Sequence, residues 1–438
     1  MFQEYQNRYF SGWELYFKKM TILKKLDGLH MYDFAEKLFP INRSITGDGV
    51  RKTLELIKIE LPNLKIKKIE SGKKVFDWVV PEEWNVEEAH IVCPDGKKIV
   101  DFKKNNLHLV GYSEPVNKEI ELDELQSHLH SLPKQPEAIP YVTSYYKKDW
   151  GFCTTHKEKK RISKKYSDND LFKIMIKTKF KNNGNLHYGE HLIKGISSKE
   201  ILISTYLCHP SMANNELSGP MLSSLLLKHF SKKKNKYSLR FIFIPETIGS
   251  IVYINKNLKR LKKNFLCGYN LTCVGDGRAY SVISSKYENS LGDKYINKSL
   301  NKLKIIHKKY SFLKRGSDER QFNSPNIDLP VVTFCRSKFG NFKEYHNSLD
   351  NFNLVTKKNL KDSFRVIKLT IDLIMNSERP ISTKFCEPFL QKYKLHENIN
   401  LKRKKNDKPP PPNCKNCLLV KYFSDIFNPY LKKFDLNA

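Results

Sequence analysis

The stretch STYLCHPSMANNELSGP, residues 204–220, sets His209 where an apolar run stops. Asn214, Asn215 and Glu216 follow, then the small pair Ser218-Gly219 and a segment with helical apolar spacing. An imidazole at a strand end, with oxygen-bearing side chains close behind it, is either a polar turn or part of a metal ligand set. Residues of the same chemical type recur beside other apolar runs: Glu246 in IPETIGS, Asp276 in CVGDGR, Asp318 in RGSDERQF and His346 in KEYHNSLDN. A single strand-end histidine is ordinarily a satisfied structural residue. Several ligand-type residues gathered at one edge of a sheet point instead to a site that holds a cation or moves a proton.

Such a gathering needs elements to position it. EILISTYL (200–207), YSLRFIFIP (237–245), FLCGYNLTCV (265–274) and LPVVTFC (329–335) are short apolar runs of strand length. LSGPMLSSLLLKHFS (217–231) and SIVYINKNLKRL (250–261), between them, carry apolar residues at helical spacing. The alternation predicts an α/β fold with a helix-flanked, largely parallel sheet. In such sheets functional groups collect beyond the carboxyl ends of the strands.

Upstream, residues 21–66 read as helices, and domain-like patterning begins only after Met20, which leaves 1–20 as an extension. Residues 67–130 are rich in β-branched and aromatic residues, with turn signals at Pro81 and Asp95-Gly96, and read as a small β-rich module. Phe76, Trp78 and Trp84 are expected in its core. Tyr145, Tyr146 and Trp150 are expected to pack where the chain re-enters the main domain, which runs over 131–380. Gly47 and Gly49 suit a helix-opening turn rather than a phosphate loop, since no Gly-Lys-Ser/Thr follows. DKPPPPNCKNC, within the tail 381–438, reads as a stiff spacer.

Composition bounds the rest. A chain of 438 residues that is 39% hydrophobic can bury a sizeable core. It has no apolar run long enough for a transmembrane helix and no signal-peptide core, so a cytoplasmic location is expected. The net charge of +32 is spread along the whole chain; only LKRKKNDK (401–408) is concentrated. Dispersed charge of this kind argues against a nucleic-acid partner. The nine cysteines are odd in number and irregular in spacing, as expected of reduced, packing thiols. Cys414-x-x-Cys417 is half of a zinc-knuckle pattern with nothing to complete it.

These stretches, from LFPINRSITGDGVRKTL (38–54) through IPYVTSYYKKDWGFC (139–153), CHPSMANNELSGP (208–220), FIPETIGSI (243–251) and GSDERQF (316–322) to EYHNSLDN (344–351), resemble an uncharacterised bacterial family of aminopeptidase-like proteins. Members are often encoded among polysaccharide and surface-glycan biosynthesis genes. The resemblance covers roughly residues 20–390. It implies a zinc-exopeptidase-like α/β domain, formed by 21–66 and 131–380, interrupted by the β-rich module as an insert. It also implies a winged-helix-like C-terminal domain, of which 381–438 is a remnant.

The wider zinc aminopeptidase superfamily places its first histidine ligand at His209 and its last, in a Tyr-His-x-x-x-Asp pattern, at His346. Its bridging aspartate falls on Asn215. Its paired Glu-Glu falls on Glu246 and Thr247, and a further aspartate ligand on Thr272. GSDERQF resembles the superfamily's Ser-Asp-His-x-x-Phe, with Glu319 in place of the histidine. Two zinc ions a few ångströms apart need anionic ligands to offset their charge, and a neutral amide bridges poorly. The resemblance therefore implies one zinc ion, held by His209, His346 and an oxygen of Asn215, Asp318 or Glu246. Glu246 would be the general base, with Asp318 or Glu319 next in line if Glu246 is a ligand instead. Arg320 or Arg43 would hold a substrate carboxylate, with Tyr345 beside it. The expected substrate is a small molecule, a glycan precursor or a peptide-like compound, and an oligomer is compatible with the pattern. Two other readings compete with a hydrolase: a non-catalytic descendant that binds a glycan or peptide-like ligand, and a nucleic-acid-associated regulator.

Overall fold

The computed structural model describes residues 28–377. Its main sheet has eight strands. In spatial order these are Lys65–Glu70, Asn185–Ile193, Tyr237–Ile244, Ser197–Tyr206, Phe265–Leu271, Val331–Cys335, Ser281–Ile283 and Lys308–Tyr310. The strands from Tyr237–Ile244 to Val331–Cys335 run parallel to one another. Antiparallel pairing begins on either side of that block, at Asn185–Ile193 and at Ser281–Ile283. Each apolar run read as a strand is one, and each run read as a helix is one: Ser218–Phe230 and Ile248–Asn264 cross between strands of the parallel block. Every residue of Tyr237–Ile244 and Val331–Cys335 is buried, as expected of strands covered on both faces. Each Ile or Phe so buried contributes about 1.5–3 kcal/mol of transfer free energy.

The parallel block is held at its far end by ions. Arg240 donates to Glu200 on one neighbouring strand and to Glu190 on the other, at 2.7 and 2.8 Å. The opposite end, where the strands finish, is left for loops. There the Ser218–Phe230 helix approaches the sheet so closely that a Cβ on Gly219 would lie 2.3 Å from Thr205 Oγ1 and 2.4 Å from the Leu271 carbonyl oxygen. Only glycine permits that approach, and it draws the preceding ANNEL segment over the strand ends. Gly47 opens the Asp48–Glu60 helix with φ 98°, and a Cβ there would strike the Trp84 carbonyl; the SITGDG stretch is a helix-opening turn.

A second sheet of four antiparallel strands joins Lys98–Ile99, Glu83–Val92, Phe172–Lys181 and Val116–Ile120. Along Phe172–Lys181 burial alternates, with Phe172, Ile174, Ile176 and Thr178 turned inward, so one face packs and the other meets solvent. That strand comes from beyond the stretch read as β-rich. Trp84 is buried and stacks on Tyr112, as expected. Phe76 and Trp78 are not core residues. They sit at the tip of a short ribbon, Lys74–Val75 with Trp78–Val79, exposed beside Tyr146; Val75 and Val80 take the buried positions instead. The extension 1–20, the tail 381–438 and the Cys414-x-x-Cys417 pair lie outside the described residues. Among the described residues every cysteine is free and buried, and no helix is long and apolar enough to cross a membrane.

Candidate metal and catalytic site

His209 follows directly on the Ser197–Tyr206 strand and Cys208, in a loop held by Ser211 at φ 46°. The ANNEL segment, Ala213–Leu217, makes one π-helical turn before the Ser218–Phe230 helix, a local irregularity that recurs at functional sites. The Asp350 carboxylate anchors this turn by accepting the Asn214 and Asn215 N–H groups at 2.6 and 2.8 Å. His346 reaches the same place from the far end of the chain. Residues 139–141 run beside 346–348, with Tyr141 N–H on the His346 carbonyl at 2.9 Å and Ser348 N–H on that of Ile139. The two imidazole centroids are 5.2 Å apart, and the Tyr141 ring touches both. Tyr345 stacks on His346 at 3.9 Å. Thr247 and His346 have φ of 64° and 57°; such strain in side chains with a Cβ concentrates at functional sites.

Glu246 follows the Tyr237–Ile244 strand. Its Oε1 accepts the Ser317 hydroxyl at 2.7 Å, and its Oε2 lies 3.8 Å from His209 Nε2. Asp318 is fully buried: Oδ1 accepts the Thr247 N–H at 2.8 Å, while Oδ2 receives no hydrogen bond. Ser250, beside it, gives its hydroxyl to the Thr247 carbonyl. Burial raises Glu246 to about 8, and the Asp318 charge adds to the shift. Burial likewise raises Asp318 to about 7. Burial lowers both histidines to about 3, with the Arg43 charge acting on His209 and His209 itself acting on His346. Both imidazoles are thus neutral at physiological pH, the form that ligates a metal.

The other side of His209 is different. Tyr206 gives its hydroxyl to Asn215 Oδ1 at 3.1 Å and meets the Thr272 hydroxyl, and the Cys273 thiol also donates to Asn215 Oδ1. Asn215 and Thr272, the positions where the resemblance puts carboxylate ligands, are joined in a neutral, satisfied network. Asp276 is likewise occupied, accepting from Asn214, Arg278 and both polar groups of Ser337. Glu319 accepts from Gly316, Ser317, Thr333 and Asn270, which leaves it no free lone pair aimed at the cleft.

One expected role changes with its position. Arg43 does not face a ligand: it is fully buried, donates to the carbonyls of His209 and Leu38, and pairs with Glu216 Oε1 at 3.4 Å. Arg320 keeps its place at the rim, exposed, with Nη2 on the Thr247 hydroxyl. Glu216 itself was not singled out. It accepts or shares the His209 Nδ1 proton at 3.0 Å, and the sole sequence signal was a carboxylate immediately after Asn215. Tyr141 had no spacing signal at all, because its partners are distant in sequence.

Cys208 Sγ, His209 Nδ1 and Glu216 lie close enough together to suggest a cation site of their own. Burial keeps the Cys208 thiol far above its ordinary value, and Arg43 already supplies the positive charge on Glu216. On the Nε2 side His209 and a Glu246 oxygen lie 3.8 Å apart, a spacing that metal–ligand bonds of about 2.0–2.2 Å can span, and the buried Asp318 Oδ2 has no hydrogen-bond partner. Among the described residues only Cys208, His209 and Glu216 form a trio of ligand atoms all within 4.8 Å of one another. A groove of about 590 Å³ between the Asp48–Glu60 helix and the Lys65–Glu70 strand is lined by Arg51, Glu55, three lysines and His187.

This largely parallel, helix-flanked sheet is that of the aminopeptidase-like folds. The Bacillus subtilis zinc aminopeptidase superposes with a TM-score of 0.61 at 12% identity, covering 82% of this chain and 98% of that one. A peptidase M28 precursor from Shewanella amazonensis gives 0.57 at 12% identity, over 81% and 95%. At such identities the likeness is one of fold. The chain belongs to the family described as Domain of unknown function (DUF4910), whose model matches residues 32–377. A Clostridium acetobutylicum protein, named as a candidate polysaccharide biosynthesis protein with aminopeptidase-like domain, is 43% identical over 85% of this chain and 84% of its own length. A crystal structure of a candidate peptidase from the same organism is also 43% identical, with a TM-score of 0.76 over 83% of this chain and 85% of that one.

Proposed function

We propose that this protein is a single-metal hydrolase of an amide or related acyl bond, acting on a glycan precursor or similar small molecule. The observation that carries the reading is the one-sided site: free ligand atoms on the Nε2 face of His209, and a neutral, fully bonded network at Asn215 and Thr272. His209 Nε2, His346 and Asp318 Oδ2 would hold the ion. Zinc bound there supplies Lewis acidity, polarising an acyl oxygen and acidifying water. Glu246, with Oε1 fixed by Ser317, turns Oε2 into the cleft to take the proton of the attacking water and return it to the leaving amine. Its raised proton affinity suits both steps near neutral pH. Arg320, exposed at the rim, offers a planar fork to a carboxylate or phosphate on the substrate. Tyr345 and Tyr141 wall the cleft beside the imidazoles. The names of the zinc aminopeptidase neighbours support the metal and that of the Clostridium relative supports the glycan context.

The missing carboxylates at Asn215 and Thr272 favour one alternative, a cleft that binds such a ligand without turning it over. Metal analysis of protein purified without added zinc, followed by a hydrolysis screen on acylated amino sugars and amino-acyl amides, separates the two. A stoichiometry near one with turnover supports the hydrolase. Protein that takes up no metal under any condition sinks it, and metal without turnover leaves the binder.

A further inference from the structure

Glu216 stands one position beyond Asn215, and its side chain lies against the opposite edge of His209 from Glu246. Oε2 is 3.0 Å from His209 Nδ1, and Oε1 is 3.4 Å from Arg43 Nε. Arg43, His209 and Glu216 are all buried. Burial raises Glu216 to about 8, against the opposing pull of Arg43 and of the backbone N–H groups of His209 and Cys208. Arg43 further ties the His209 carbonyl at 3.1 Å to that of Leu38 at 2.6 Å. The cluster therefore links the N-terminal helical region to the loop that carries the imidazole.

We infer that Glu216 is a positioning residue for the cation site: anchored by Arg43, its carboxylate keeps the His209 proton on Nδ1 and leaves the Nε2 lone pair facing Glu246 and the cleft. This rests on the proposed metal site, and it adds a residue that the resemblance does not place there. The reasoning is electrostatic. In the ionised form that pairs with Arg43, Glu216 accepts hydrogen bonds and cannot donate one. An Nδ1 lone pair set against it is repelled, whereas an Nδ1–H is attracted, more strongly in a dry interior than in water. The Arg43 guanidinium, always charged, keeps a compensating cation beside the carboxylate. The tautomer that results is the one that presents Nε2 as a metal ligand. A carboxylate behind a ligating histidine also raises its basicity. The negative charge stands one residue beyond Asn215 and is directed behind one imidazole. That arrangement serves one ion and gives nothing to a second.

Two measurements test this. Long-range proton–nitrogen NMR of ¹⁵N-histidine-labelled, metal-free protein reads the His209 tautomer without any metal or substrate. The Nδ1–H form is expected, and the Nε2–H form overturns the inference. Zinc affinity, by competition with a chromophoric chelator, is expected to fall about 10–100-fold in Glu216→Gln. A Glu216→Gln protein that binds zinc as tightly as the parent overturns it. If that variant does not fold, Arg43→Gln combined with Glu216→Gln replaces the ion pair by an amide pair and is read the same way. Parent protein that shows the Nδ1–H tautomer but binds no zinc upholds the Glu216–His209 pairing and sinks the hydrolase reading, so the two failures are distinct.

Discussion

Beside His209, whose Nδ1 edge is taken by the Arg43-paired Glu216, two regions differ in kind. On the Nε2 edge, Glu246, Asp318 and His346 hold ionisable groups with an unused oxygen among them. Beyond the ring, Asn215, Tyr206, Thr272 and Cys273 form a neutral network in which donors and acceptors are matched. A buried polar group without a partner costs free energy, and proteins retain few of them. Asp318 Oδ2 is thus open to a ligand, whereas the network at Asn215 and Thr272 needs none.

The largest effect expected is on the metal. His346→Ala should abolish stoichiometric zinc binding, read by mass spectrometry of the purified variant; full occupancy in that variant would break the distinction between the two sides. Next is the proton carrier. Glu246→Gln should slow hydrolysis of a substrate found by screening about 10²–10⁴-fold while zinc content holds. Loss of zinc instead would make Glu246 a ligand and hand the base role to Asp318.

On the neutral side the expected effects concern stability. Tyr206→Phe removes the hydroxyl that joins Asn215 to Thr272 and should cost about 1–3 kcal/mol in urea unfolding, with zinc affinity unchanged. A large loss of zinc affinity would show that the two sides are not separate. The smallest effect is a pH dependence of the anchor. Burial raises Asp350 from 3.8 to about 7, against the pull of the Asn214, Asn215 and Ala213 N–H groups. The folded protein then keeps a proton that the unfolded chain has released. The stability this adds is complete at low pH and is lost as pH rises through about 7. The metal-free parent should lose stability relative to Asp350→Asn between about pH 4 and pH 8, and a constant difference between their urea midpoints would remove Asp350 from the account.

Much of this was legible locally. The central strands and crossover helices announced themselves because a strand covered on both faces must be continuously apolar and a half-buried helix must repeat every turn. His209, Glu246, Asp318 and His346 stood out because each closes or borders such a run. Phe76 and Trp78 misled, since aromatic character suits a core but does not say which face of a two-stranded ribbon is turned outward. Arg43 misled for a related reason. A guanidinium near a motif reads as a ligand clamp until its partners, Glu216 and two carbonyls, are seen to enclose it.

By itself the sequence determined the α/β class and the order of the elements. Those are properties of residue type and spacing along the chain. Only the tertiary structure decided which acids remain free. Glu319 and Asp318 are neighbours in sequence, yet one is fully bonded and the other keeps an open oxygen. Glu216 and Asn215 are neighbours too, yet one serves His209 and the other a tyrosine. Hydrogen-bond satisfaction is set by partners brought together from distant parts of the chain, and no local pattern records it.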